Sequence, residues 1–164
     1  MSKVNNKVAV ITGATGGIGF EVAKRLGQDG YTVVLNGIED EVGAERVAQL
    51  TYEGITAEYY GFDVTNEDAV NSNINAIGEK YGKIDVLVNN AGGLGGRQRF
   101  EEMTTEFYRF VMALNLDSTF FASRAAIPFL KKGDLPTIIN YTSNAGWNAG
   151  GPGAGIYGTS KAGV

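Results

Sequence analysis

The chain ends in GIYGTSKAGV, where Tyr157 and Lys161 stand four residues apart, the spacing that puts two side chains on one helical face. An ammonium beside a phenol stabilises the phenolate, bringing a group of unperturbed pKa about 10 towards a pH at which it can pass a proton. The pairing gains chemical point from what is missing, because the 164-residue sequence contains neither histidine nor cysteine. There is no imidazole base, thiol nucleophile, disulfide or thiolate zinc site, so acid–base chemistry near neutral pH falls to a carboxylate, a lysine or a tyrosine. Tyr-x-x-x-Lys alone is a weak signal in a chain with 8 tyrosines, and a surface pair accounts for it equally well. Two further residues sit where they could join it. Ser143 closes the apolar run TIINYTS, where its hydroxyl could bond a substrate carbonyl or merely cap a loop. Asn115, in MALNLDSTF, is a poor helix former in a helical pattern, and either disrupts the helix for a reason or is tolerated there.

Glycine is the compositional outlier, with 24 residues, about twice ordinary usage. It gathers in TGATGGIG (12–19), AGGLGG (91–96) and AGWNAGGPGAGIYG (145–158), each after a strand-like apolar run. In the first cluster the chain leaves a strand, turns and opens a helix whose free N–H groups and dipole favour an anion that glycine lets approach. Gly13, Thr15, Gly16, Gly17, Ile18 and Gly19 are therefore candidates for cradling a pyrophosphate; a ligand-free turn is the plainer alternative. NNAG (89–92) after a later strand reads as a turn or as part of the same cradle.

The elements that must position these residues alternate regularly. KVAVIT (7–12), YTVVLN (31–36), AEYYGF (57–62), KIDVLVNN with its strand at about 84–88, and TIINYTS (137–143) read as strands. Helical patterns follow the first glycine cluster, span 40–53, span 66–82 behind an Asn cap, and fill 104–133 as two helices or one bent one. Strands this apolar belong inside a parallel sheet covered by helices on both faces. The expectation is an α/β, doubly wound, Rossmann-type parallel sheet forming one domain over residues 1–164, with ligands beyond the carboxyl ends of the strands, where all three glycine clusters fall.

Composition agrees with a globular protein of net charge -4, without a basic block for nucleic acid or an apolar run of membrane-spanning length. The N-terminal MSKVNNKVAVITG has too short an apolar stretch, and no small-residue cleavage site, for a signal peptide, so cytoplasmic residence is expected.

Taken in order, TGATGGIG, the Asp63-Val64 pair, NNAG, Asn115, Ser143 and Tyr-Gly-Thr-Ser-Lys make the whole chain resemble the short-chain dehydrogenase/reductase family. The resemblance implies Tyr157 as general acid/base, Ser143 as the group that polarises the carbonyl, and Lys161 as the residue that holds the nicotinamide ribose and lowers the tyrosine pKa. It implies Asn115 in a water-linked proton relay to Lys161. Residues 13–19 would meet the pyrophosphate, Asp63 and Val64 the adenine, and Asn90 with Ala91 and Gly92 the ribose, while Thr12 and Asn89 would tie neighbouring loops. A homo-oligomer, tetramer or dimer, is implied through the helices at about 104–132 and from 155 onward. Family members continue past the tyrosine–lysine motif, so the resemblance also implies that these 164 residues lack the family's C-terminal strands and leave a sheet edge bare.

The implied cofactor is NAD or NADP. Family members that use NAD carry an aspartate about where Gly37 stands, and many NADP users a basic residue near Ile38 or Gly16; this chain has neither. Glu39 and Asp40 lie nearby and the first basic residue is Arg46, which favours NAD over a 2′-phosphate. Gly93, Leu94, Asn144, Trp147 and the stretch to Gly155 are candidate substrate contacts, and Arg97 and Arg99 either meet an anionic substrate or are solvated. Other readings of the pattern are a non-catalytic nucleotide-binding module or inactive fragment, and a methyltransferase, in which Tyr-Lys and NNAG would have no task.

Overall fold

The computed structural model describes residues 6–164; the first five, which begin the stretch read above against a signal peptide, lie outside the described residues. The first strand, β1 (Val8–Ile11), carries no polar side chain. Val8 and Val10 enter one hydrophobic layer while Ala9 and Ile11 enter the other, the two-residue alternation of a strand covered on both faces. Helix α1 (Gly17–Gln28) follows, then β2 (Thr32–Gly37), α2 (Asp40–Tyr52), β3 (Ala57–Gly61), α3 (Glu67–Tyr81) and β4 (Val86–Asn89). After β4 come α4 (Thr105–Met112), α5 (Ser118–Leu130), β5 (Thr137–Asn140), the short α6 (Ala145–Asn148) and α7 (Gly155–Gly163).

The five strands are parallel in the order β3-β2-β1-β4-β5. Val10 lies opposite Val34 of β2 on one side and Leu87 of β4 on the other. The chain travels outward from β1 to β3 and then returns to the far side of β1, so the topological switch point lies between β1 and β4. Loops leaving those two strands part there and open a crevice. Phe20 and Ala23 of α1 and Leu50 of α2 cover one face, while Ile74 and Ile77 of α3 and Ala126 and Phe129 of α5 cover the other.

The Asn66 side chain accepts from the Ala69 N–H and opens α3, as the sequence predicts. Within the region 104–133 the structure has one continuous helical run, Thr105–Leu130, interrupted by a π turn at Ala113–Asp117. Two short pieces fall where the sequence reading places no element: a 3₁₀ turn at Phe100–Glu102, and α6, inside a glycine-rich stretch. Strand β5 departs from the expectation of burial on both faces. It ends at Asn140, and Ile138 and Ile139 remain 38% and 43% exposed, because among the described residues β4 is its one neighbour and the other edge is bare. No helix among the described residues is long and apolar enough to cross a membrane.

Asp85, at the entry to β4, is 1% exposed and accepts from the N–H groups of Val8 and Asp134 at 2.8 and 2.9 Å, with the Lys83 ammonium at 3.1 Å. Burial works to raise its pKa, but these donors outweigh burial and hold the carboxyl below its ordinary value. Asp85→Ala leaves both N–H groups without an acceptor and is expected to cost on the order of 2–3 kcal/mol, read as a lower urea midpoint at unchanged slope.

Candidate active site

The loop between β1 and α1 is clamped from both sides. Thr12 Oγ1 accepts from the N–H groups of Asn90 and Ala91 at 3.1 and 3.0 Å, and the Asn90 amide donates to the carbonyls of Thr12 and Gly13 at 3.0 and 2.9 Å. Gly13 has φ +61 and approaches so closely that a Cβ would lie 2.9 Å from Ala91 Cα, so both its backbone angle and its contact call for glycine. A Cβ on Gly19 would likewise meet Asn90 Nδ2, at 2.5 Å, so the start of α1 packs directly on this loop. From the other side Asn36, 1% exposed, accepts from Gly13 N–H at 3.3 Å and donates to the Phe62 carbonyl at 2.8 Å. Asn36 is the functional-region residue that sequence reading misses; its signal is an amide side chain directly after the apolar run Val33–Leu35.

Helix α1 begins without a side-chain cap, since Gly16 is its N-cap residue. A Cβ at Gly16 or Gly17 would meet nothing within 4 Å, so the space before the helix terminus is open. That space belongs to a cavity of about 340 Å³ lined by Gly13, Gly16, Ile18, Asn90, Gly92, Tyr141, Thr142, Tyr157 and Lys161. Uncapped N–H groups at a glycine-bordered helix terminus fit an anionic pyrophosphate.

Lys161 lines the same cavity and is only 5% exposed. A surface pairing with Tyr157 is therefore excluded. Its Nζ donates to the Tyr141 carbonyl at 2.6 Å, and the Thr142 hydroxyl donates to the Lys161 carbonyl, so α7 is pinned to the loop after β5. Burial lowers the Lys161 pKa from its ordinary value. A Cβ on Gly92 would lie 3.0 Å from Lys161 Nζ and 2.8 Å from Asn115 Oδ1, which places the amide and the ammonium against the same glycine.

Asn115 is fully buried and explains the π turn. Its Nδ2 donates to the Val111 carbonyl four residues back and to the Gly93 carbonyl, both at 2.9 Å, while Oδ1 accepts from Gly93 N–H at 2.9 Å. A side chain that bonds the helix's own carbonyl competes with the regular ladder, and the helix widens at this residue. Of the two sequence readings, the disruptive one holds: Asn115 fastens the loop after β4 to the helix behind it.

Ser143 lies three residues beyond β5, where its Oγ accepts from Ala145 N–H at 3.2 Å at the entry to α6. It borders a second cavity, of about 390 Å³, with Leu94, Arg97, Asn144, Asn148 and Tyr157. Tyr157 is the one residue that lines both this cavity and the glycine-loop cavity. Several predicted residues lie outside the two linings. Asp63 is exposed, and its Oδ1 accepts from Thr65 N–H and Oγ1, both at 2.8 Å, while the neighbouring Val64 is buried in the core. Ala91 contributes its N–H to Thr12. Thr15 faces β2, where a Cβ on Gly37 would lie 2.5 Å from Thr15 Cγ2, and its carbonyl accepts from Arg46 Nε at 2.9 Å. Trp147 is 95% exposed and borders a separate hollow together with Ser143 and Lys161. Asn89 donates to Ser123 Oγ and Asn140 Oδ1, both at 2.9 Å, the structural tie expected of it.

The family model described as short chain dehydrogenase matches residues 7–164. The chain belongs to the short-chain dehydrogenase family. Among its relatives is a 3beta-hydroxysteroid dehydrogenase of Mediterraneibacter gnavus, 40% identical over 98% of this chain and 58% of that protein. The crystal structure of NADH-dependent reductase A1-R′ complexed with NAD matches with TM-score 0.89 and 36% identity, over 95% of this chain and 67% of that one. A mutant actinorhodin polyketide ketoreductase with NADPH matches with TM-score 0.88 and 34% identity, over 96% of this chain and 60% of that one. The short-chain dehydrogenase chain described here spans 58 to 65% of the length of the first curated relatives that it matches.

The buried ammonium gives a signed expectation. Between the lowered pKa of folded Lys161 and the unfolded value of about 10.4, the unfolded chain holds more protons, so rising pH relieves the burial cost and adds stability. The melting temperature of wild type minus that of Lys161→Met should therefore climb through that window and level off above it. A flat difference would mean that Lys161 titrates like a solvated lysine.

Proposed function

We propose that this chain is the cofactor-binding and catalytic part of an oxidoreductase that moves a hydride between a nicotinamide dinucleotide and a carbonyl or alcohol substrate. The observation that carries the reading is Tyr157 on the wall shared by two cavities, one bordered by the glycine loop and Lys161, the other by Ser143. The bound nicotinamide supplies the two-electron step, taking up or giving a hydride at C4. In the oxidation direction the alcohol O–H proton passes to the Tyr157 oxygen as the carbinol C–H bond breaks and the C=O forms. In reduction the Tyr157 phenol returns that proton to the carbonyl oxygen.

Lys161 keeps two N–H donors beyond the one given to Tyr141, enough to hold the nicotinamide ribose. Ser143 Oγ orients the substrate oxygen. Asn115 supports Gly92 and Gly93 beside Lys161 and extends a water-linked proton path to it. The pyrophosphate rests on the N–H groups of residues 17–19, flanked by Gly13, Thr15 and Gly16; Asn90, Ala91 and Gly92 border the ribose, and Asp63 and Val64 the adenine. A non-catalytic nucleotide-binding module would leave the phenol between two cavities without a task.

NAD is the favoured cofactor. Thr15 packs where a side chain at Gly37 would stand, Ile38 brings no cation, and Arg46 is engaged by the Thr15 carbonyl and by Gln49 Oε1. Exposed Tyr108, Phe110, Phe120 and Ile127 on α4 and α5 support a homo-oligomer through those helices.

Tyr157→Phe should lower turnover of secondary alcohols by about 10²-fold or more while NADH affinity, read by fluorescence titration, stays within a few-fold of wild type. Retained turnover would remove the tyrosine from the chemistry. In the same titration NADH should bind more tightly than NADPH, and the reverse order would move the preference to the 2′-phosphate.

A further inference from the structure

The second cavity carries more information than its neighbour about what enters it. Arg97 and Arg99 look equivalent in sequence, yet the structure separates them. Arg99 faces Glu101 at 3.9 Å in an exposed pair and takes no part in the lining beside Tyr157. Arg97 lines that cavity, and among the described residues no carboxylate lies within ion-pair distance of it. It is also the one charged side chain in a lining otherwise made of Ser143, Asn144, Asn148, Tyr157 and small or apolar residues.

Backbone stitching holds Arg97 in place although it lies on the exposed loop after β4. Its Nη1 donates to the Pro152 carbonyl at 2.8 Å, and the next residue, Gln98, donates its N–H to the Gly153 carbonyl at 3.1 Å. A Cβ on Gly153 would lie 3.0 Å from Arg97 Cβ, so the two loops are in contact. Among the described residues the one bond of the guanidinium, to Pro152, leaves Nε and Nη2 free, and a guanidinium with a free fork binds a carboxylate through two parallel N–H donors.

We propose that the substrate is a small hydroxy or keto acid, with its reacting carbon at Tyr157 and Ser143 and its carboxylate on Arg97. The inference rests on the reading of this cavity as the substrate side of the oxidoreductase site. Asn144 and Asn148 add neutral donors along the same wall, and the volume of about 390 Å³ suits a small molecule. Arg97 is thus a specificity-determining residue, and Arg99 is not.

Calorimetric titration of the purified protein with acetoacetate and 4-oxopentanoate, beside their methyl esters and with NAD present, tests this. The acids should bind about tenfold or more tightly than the esters, the scale of a charge-assisted hydrogen-bonded pair. Arg97→Gln should erase that difference while leaving ester and NAD affinity unchanged, and Arg99→Gln should leave it intact. Equal or absent binding of the acids, or a preference that survives Arg97→Gln, overturns the proposal. Oxidation of NADH by the same acids is read separately: a preserved Arg97-dependent preference without turnover would count against the oxidoreductase reading and leave the carboxylate site standing.

Discussion

A lysine ammonium held almost out of water, with a carbonyl as its protein partner, is the constraint around which the ligand side of this fold is arranged. Lys161 cannot reach the Tyr141 carbonyl unless α7 lies against the loop after β5, and the Thr142 bond to the Lys161 carbonyl fixes that approach. The ammonium also needs a neighbour without a side chain, which Gly92 supplies. Gly92 in turn is held by its successor, because Asn115 bonds both the N–H and the carbonyl of Gly93. Burying such a charge is unfavourable, so the surrounding structure must over-determine its position.

The parallel sheet brings these pieces together. Loops leaving the carboxyl ends of β1, β4 and β5 meet at the crevice beside the switch point, although their residues are far apart in sequence. Side-chain bonds convert proximity into fixed geometry. Thr12 and Asn90 lock the first loop to the second, Asn36 locks the first to the ends of β2 and β3, and Asn89 reaches Asn140 in β5. The open space before the uncapped end of α1 and the phenol of Tyr157 then border one cavity.

Much of this is legible in the sequence because it follows from local pattern. An unbroken apolar run marks β1, an Asn cap opens α3, and TGATGGIG marks a strand that turns into a helix with an open end. Asn115 stands out because its type conflicts with its helical surroundings, and the conflict is real: its amide takes the Val111 carbonyl and opens a π turn. What escapes is what depends on distant partners. Nothing local shows that Asn36 spans two strand ends, that Arg46 folds back on Thr15, or that Arg97 borders the cavity beside Tyr157 while Arg99 does not. The short α6 hides in a glycine-rich stretch because its packing on α7, close enough that a Cβ on Gly158 would meet the Ala145 carbonyl at 2.6 Å, is a tertiary contact.

The central claim is that the uncapped start of α1 and the buried ammonium of Lys161 grip the two halves of one dinucleotide, leaving Tyr157 beside its nicotinamide. A crystal structure of the protein with NAD tests it most directly. The account predicts the pyrophosphate on the N–H groups of residues 17–19, the nicotinamide ribose within hydrogen-bond reach of Lys161 Nζ, and the Tyr157 oxygen between the nicotinamide and the cavity that Ser143 borders. A dinucleotide bound away from α1, or one whose nicotinamide end leaves Lys161 and Tyr157 untouched, would contradict it.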